Sequence, residues 1–221
     1  MTVPTRLLMP LEPGLVLYLP FWEGSGTFAE DVTPNRNHGT IYGATWVDGK
    51  LGKALSFDGV DDRVGFATFN PSGVLNIFPL TIAAWIYYYP DSGKTYTYIS
   101  NFAGGYTGWF LQKTSANSFL IAVGTGSVFV VSNKVITSEG WIHAVAVIKG
   151  VGDSVTLYVD GQPQTPATLT AYSNGYDYVN IGGHPPSGVG MKGIVDEVRI
   201  YNRALTDDEV FELYYKGARG G

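Results

Sequence analysis

Between Leu80 and Lys149 the chain passes through one short stretch of β-branched and aromatic residues after another: Leu80 to Tyr89, Thr95 to Phe102, Gly108 to Lys113, Phe119 to Val123, Val128 to Ser132 and Trp141 to Lys149. Such side chains fit a pleated, half-buried surface, and turn residues divide the stretches at short intervals, so the region predicts strands. The texture continues on both sides. Gly14 to Phe21, Thr40 to Trp46, Ala54 to Phe57 and Arg63 to Phe66 precede it, with Asp48-Gly49 and Asp58-Gly59 as tight turns in which glycine supplies a positive φ. Ser154 to Asp160, Tyr178 to Gly182 and Gly193 to Tyr201 follow, and Asp160-Gly161 predicts a hairpin whose return begins at Gln162. Trp141 to Ile148 is apolar on both faces apart from His143, as in a central strand. One helix is predicted, at the end: Thr206-Asp207-Asp208-Glu209 forms a capping box, Val210, Leu213 and Tyr214 share a face, and Gly217 is the expected stop.

The chain is therefore all-β with a short C-terminal helix. Its 221 residues lie within the reach of one β domain, 14–217, preceded by an arm or linker, 1–13, that holds three prolines. With 29 glycines, 12 prolines and only 15% charged residues, the composition suits many strands joined by turns and argues against disorder. Cysteine is absent, which excludes disulfides, thiolate zinc sites and cysteine nucleophiles. A formal charge of -5 and the lack of a basic run disfavour nucleic acid, whose phosphates need a basic footprint. No apolar stretch reaches a membrane span and the first residues lack a hydrophobic signal core.

The last strand poses a question of its own. Alternation from Gly193 to Tyr201 places Ile194, Asp196, Val198 and Ile200 on one face, which sets a carboxylate in an apolar row. Taking an unpaired carboxylate out of water costs several kcal/mol, so Asp196 needs a cation, a set of N–H donors, or a bulge that turns it outward. The loop from Glu30 to Gly39 is the most ligand-like in the chain, dense in oxygen-bearing side chains and turn formers.

Several stretches together resemble the laminin-G-like, or concanavalin A-like, jelly-roll family. They are Phe21 with Glu23-Gly24-Ser25-Gly26, Asp31 through Ile41, Asp48 through Asp62, Thr81 to Trp85, Gly140 to His143, Leu157 to Gly161, Asn180 to Gly183, and Gly193 through Leu205. The likeness runs from about Leu15 to Tyr215, and departs at Trp22, where the family often has aspartate. It implies a two-sheet antiparallel jelly-roll sandwich with the first and last strands close together. It also implies a structural calcium ion near those termini, which places Asp31, Asn35, Asn37 and Asp196 as ligands, with Glu23 a weaker one. The alternatives are Asx turns for the loop residues and a hydrogen-bonded or bulge-exposed carboxylate for Asp196.

For a ligand, aromatic faces that receive the apolar side of a sugar are sought among Tyr96, Tyr98, Tyr106, Trp109, Tyr172, Tyr176 and Tyr178, with Asn174 and His184 as polar contacts. Against this stands the fact that tyrosine is a good strand former, and Trp85 and Trp141 are expected in the core. No Glu-x-Asp-x-Glu strand or His-Glu-x-x-His helix occurs, and Asp61-Asp62 and Asp207-Asp208-Glu209 read as a turn and a helix cap, so no enzymatic activity is expected. The expected function is binding of a carbohydrate or cell-surface ligand at an extracellular, cell or virion surface. A structural or decoration component of a virion or other assembly, with neighbouring subunits as partners, is the alternative, and a polysaccharide-active enzyme the third.

Overall fold

The computed structural model describes residues 12–66, 74–90, 93–101, 107–124, 128–176, 179–184 and 189–219. The predicted arm, apart from residues 12 and 13, lies outside them, as do Tyr106, Tyr178 and the side chain of His184.

The strands among the described residues are, in chain order, β1 (Leu15–Leu19), β2 (Phe28–Ala29), β3 (Gly39–Tyr42), β4 (Thr45–Asp48), β5 (Lys53–Asp58), β6 (Arg63–Gly65), β7 (Leu80–Tyr88), β8 (Tyr96–Ser100), β9 (Trp109–Lys113), β10 (Ser118–Val123), β11 (Val128–Val135), β12 (Gly140–Ile148), β13 (Ser154–Val159), β14 (Gln162–Pro163), β15 (Ala167–Thr168), β16 (Asn180–Ile181), β17 (Gly183–His184), β18 (Val189–Gly190) and β19 (Lys192–Tyr201). The helix α1 (Asp207–Arg219) comes last. The first sheet has the order β14-β13-β12-β7-β19-β5-β4, with β1 also on β19 and β15 on β13. The second runs β11-β10-β9-β8-β16-β6-β3-β2, and β17 and β18 form a small hairpin. All pairings are antiparallel, and β1 lies against β19, so the first and last strands meet as a jelly roll requires.

The core fills the space between the sheets. Leu17, Ile82, Ala84 and Ile200 from the first sheet join Val64, Leu111, Ile121 and Ile181 from the second, all essentially without exposure. Each such side chain contributes roughly 1.5–3 kcal/mol by leaving water. Residues predicted as one strand from Thr40 to Trp46 divide between the sheets: β3 belongs to the second and β4 to the first. The chain crosses at Gly43, with φ of 78°, where a Cβ would lie 2.0 Å from Asp62 Oδ1.

The outward face of the first sheet is covered by α1. Val210 and Leu213 pack on Ala83, Val145, Val147 and Tyr201. The capping box forms as the sequence predicts: the Glu209 N–H donates to Thr206 Oγ1 at 3.3 Å and the Thr206 N–H to Glu209 Oε2 at 2.9 Å. Both guanidinium ends of Arg203 reach the Glu209 carboxylate at 2.7 Å, and this pairing holds the acid down at about 2. Gly217 does not end the helix. It is a packing residue, since a Cβ there would lie 2.3 Å from Trp85 Nε1.

Candidate functional site

Asp196 does not stand in the core row. Register against β7 passes from Asp196↔Trp85 to Arg199↔Ala83, so β19 carries one extra residue, Glu197, with φ of 56°. This bulge lies where the other neighbour of β19 changes from β5, paired through Val195, to β1, paired from Val198. Val195, Val198 and Ile200 all face the core as a result, and Asp196 and Arg199 fall on the opposite face.

There Asp196 is fully buried and receives N–H groups: Leu51 donates to Oδ2 at 2.9 Å and Glu197 to Oδ1 at 2.8 Å, with the Lys50 N–H a further donor. Burial outweighs these donors and, with the Glu197 charge added, pushes the carboxyl up to about 7. Glu197 accepts the Tyr18 hydroxyl at 2.9 Å and an Arg199 N–H at 2.6 Å, and the guanidinium lies 4.0 Å from the Tyr18 ring centre. His143 is also buried on this face, 5.0 Å from the Trp85 ring, and Tyr214 of α1 stacks on the same indole at 5.8 Å.

The residues expected from the sequence as calcium ligands are engaged in hydrogen bonds within the protein. Asp31 Oδ1 accepts the N–H groups of Tyr18 at 3.1 Å and Thr33 at 2.9 Å, and Oδ2 accepts Thr33 Oγ1 at 2.9 Å and the Asn37 N–H at 2.8 Å. Asn35 Nδ2 donates to Val16 O at 2.8 Å, with Asn37 Nδ2 near the same carbonyl, and Glu23 takes the Glu30 N–H. Both carboxylates are thus met by hydrogen-bond donors from different segments, whereas calcium needs six to eight oxygens facing one point. The residues present do not fit an ion shared by this loop and the last strand. Among the described residues, the acids that come together are Asp58, Asp61 and Asp62, within 4.8 Å of one another. They form the predicted turn: Asp62 Oδ2 accepts the Asp58 N–H and Asp58 Oδ1 the Val60 N–H.

Three of the five described residues of the predicted aromatic ligand set face inward. Tyr98 and Trp109 are completely buried and Tyr96 nearly so. Tyr98 stacks on Phe119 at 5.7 Å, Trp109 Nε1 donates to Leu75 O at 3.0 Å, and Lys113 Nζ lies 5.0 Å from the Tyr96 ring. Period-two aromatics on a sandwich strand share one face, and here that face is the core. Tyr172 is pinned by its hydroxyl to Asn76 Oδ1 at 2.8 Å and by its ring to Phe78, while Tyr176 is half-buried with its N–H on Asn101 O. Asn174 is exposed in the same loop.

Exposed rings occur elsewhere: Trp22 after β1, Phe211 and Tyr215 on α1, and a group on the outward face of the second sheet. Phe28, Thr40 and Gly65 stand opposite one another across β2, β3 and β6, and Tyr42 stands opposite Arg63. Phe28 is 49% exposed and Tyr42 46%. Gly65 lets the Tyr42 ring lie close over the strand, since a Cβ there would meet Tyr42 Cε2 at 3.3 Å. The Arg63 guanidinium sits 4.2 Å from the Tyr42 ring centre, and His38 lies 4.8 Å from Phe28. His38 Nδ1 accepts the Asp31 N–H at 3.1 Å, so the ring presents its N–H at Nε2. The row continues inward through Asn180, Ser100, Phe110 and Ala122 to Phe129, itself 45% exposed. None of Phe28, Tyr42 or Arg63 was singled out from the sequence. The available signal was the alternation of Thr40 and Tyr42 against buried Gly39 and Ile41.

An antiparallel two-sheet sandwich with one face under a helix, and exposed rings toward both edges of the other while Asn180, Ser100 and Ala122 between them are buried, is a jelly roll. A laminin-G family model, described as the concanavalin A-like lectin/glucanases superfamily, matches residues 58–211, and the chain belongs to that superfamily. Comparison with curated protein sequences gave no match. Among solved structures, sialidase of Trypanosoma rangeli in complex with sialic acid is similar, with a TM-score of 0.75 and 19% identity over 94% of this chain and 34% of the sialidase. The same enzyme with the inhibitor DANA gives 0.74 and 19%, over 100% of this chain and 36% of the other. The binding domain of botulinum neurotoxin serotype D gives 0.68 and 13%, over 92% and 52%. The chain thus spans about a third to a half of those proteins, and at these identities the likeness is one of fold. The expectation of no enzymatic activity does not stand. It rested on missing sequence motifs, and the fold is shared with a sialidase whose covalent intermediate with 2,3-difluorosialic acid has been solved.

Proposed function

We propose that this chain binds carbohydrate on the outward face of its second sheet, at β2, β3 and β6. The observation that carries the reading is the pair of exposed rings, Phe28 and Tyr42, set beside hydrogen-bonding groups on a rigid sheet. Leaving two such rings half in water forgoes roughly 1 kcal/mol each. A pyranose supplies what fits them: an apolar C–H face for the rings, and hydroxyls for Thr40 and the His38 Nε2–H. The superfamily and the similarity to a sialidase solved with sialic acid support the reading.

A glycan array followed by titration calorimetry tests it. The expected result is a glycan whose affinity falls about tenfold or more in both Phe28→Ala and Tyr42→Ala, with unchanged melting temperature. The reading fails if no glycan binds, or if both variants bind as the parent does.

A further inference from the structure

Resting on that reading, we propose that the sugar is an acidic one and that Arg63 receives its carboxylate. The described arginines differ in how they are engaged. Arg199 is paired with Glu197 and Arg203 with Glu209. The Arg63 side chain makes no ion pair or hydrogen bond among the described residues, as is true of Arg36 and Arg219, but it alone of these lies on a sheet face, on the Tyr42 ring, although three aspartates precede it within five positions of a chain with a net charge of -5. Two of the three carboxylates are committed elsewhere. Asp62 is buried beside Gly43 and takes the Asp58 N–H, and Asp58 takes the Val60 N–H. Strand alternation then sends Arg63 to the outward face, away from Asp62.

The ring holds the guanidinium by cation–π attraction and leaves its N–H edge free. That edge is a planar fork, matched to the two oxygens of a carboxylate. The adjoining Tyr42 face takes the C–H side of the same sugar ring, and the His38 Nε2–H lies on the Phe28 side for a hydroxyl. A neutral glycan would leave the guanidinium without a partner, and a sulfate ester is the competing anion for the same fork.

The test compares sugars that differ only in the carboxylate. Oligogalacturonate is titrated against its methyl ester, and sialyllactose against lactose, so that uronic and sialic sources are read separately; a sulfated galactan is the third arm. One of the carboxylated sugars is expected to bind at least tenfold more tightly than its neutral counterpart, with affinity falling as salt is raised. Arg63→Gln should bring the acid down to the level of the neutral sugar, Arg63→Lys should recover part of the gap, and Tyr42→Ala should weaken both. Because Arg63 has no partner within the protein, the melting temperature of Arg63→Gln should match the parent. Equal affinity for acid and neutral forms, indifference to Arg63→Gln, or a preference for the sulfated galactan overturns the acidic-sugar inference and leaves carbohydrate binding in place. Absence of binding to every glycan on the array overturns both.

Discussion

The two outward faces of the sandwich treat polar and aromatic residues in opposite ways. On the first sheet, Asp196, Glu197 and His143 are at most 2% exposed, and the turn after β4 and helix α1 cover them. On the second, Phe28, Tyr42 and Phe129 stand 45–49% exposed. Polar groups are inside and rings outside, the reverse of what transfer energies favour, but on the first face the protein supplies donors for the two carboxylates, Asp196 and Glu197. Buried polar groups met by donors are structural. Exposed rings with an unengaged cation beside them are available to something else.

The contrast breaks most sharply at Glu197. Glu197→Ala leaves the Arg199 guanidinium buried without its carboxylate and should cost about 3–5 kcal/mol. Phe129→Ala on the open face should cost under about 1 kcal/mol. Urea denaturation of the two variants measures the difference. Similar losses would mean that the faces are not distinct.

Asp31→Ala comes next. It strips four donors of their acceptor and should cost about 2–4 kcal/mol. Because those donors already occupy the carboxylate, the loss should be the same in millimolar calcium and in chelator. A parent melting temperature that drops on chelation would restore the ion between the loop and the last strand.

Gly217→Ala should cost about 1–3 kcal/mol, against the gain normally expected from alanine in a helix, because its methyl group must displace the Trp85 indole. A neutral or stabilising result in thermal unfolding would show that α1 sits loosely on the first sheet.

Much of this fold was legible in the chain. The strand segments, the capping box and the meeting of first and last strands follow from local composition and family pattern. What was hidden depended on partners distant in sequence. Alternation placed Asp196 in an apolar row because a one-residue bulge leaves no mark in composition; it arises where β19 passes from β5 to β1. Tyr96, Tyr98 and Trp109 carried the correct period for one shared face, but period cannot say whether that face is core or surface. Phe28 and Tyr42 lie on strands of two and four residues, too short for a clear periodic signal.

The finest test of the closed face is its response to protons. Burial, with the Arg199 charge adding to it, pushes His143 down to about 3 from an ordinary value of 6.5. Between these values the unfolded chain binds a proton that the folded one refuses, so this group makes stability fall as pH falls. Asp196, pushed up to about 7 from 3.8, does the opposite: between these values the folded chain holds a proton that the unfolded one has released, so stability rises as pH falls. From pH 6 to pH 5 the two contributions, each about 1.4 kcal/mol per unit, offset one another. His143→Phe should uncover the Asp196 slope, gaining about 1.4 kcal/mol over that step relative to the parent, and Asp196→Asn should lose a similar amount. Denaturant titrations at the two pH values read the crossing directly. If both variants track the parent, neither group titrates differently in the folded and unfolded chain, and burial does not set them apart from groups on the second face.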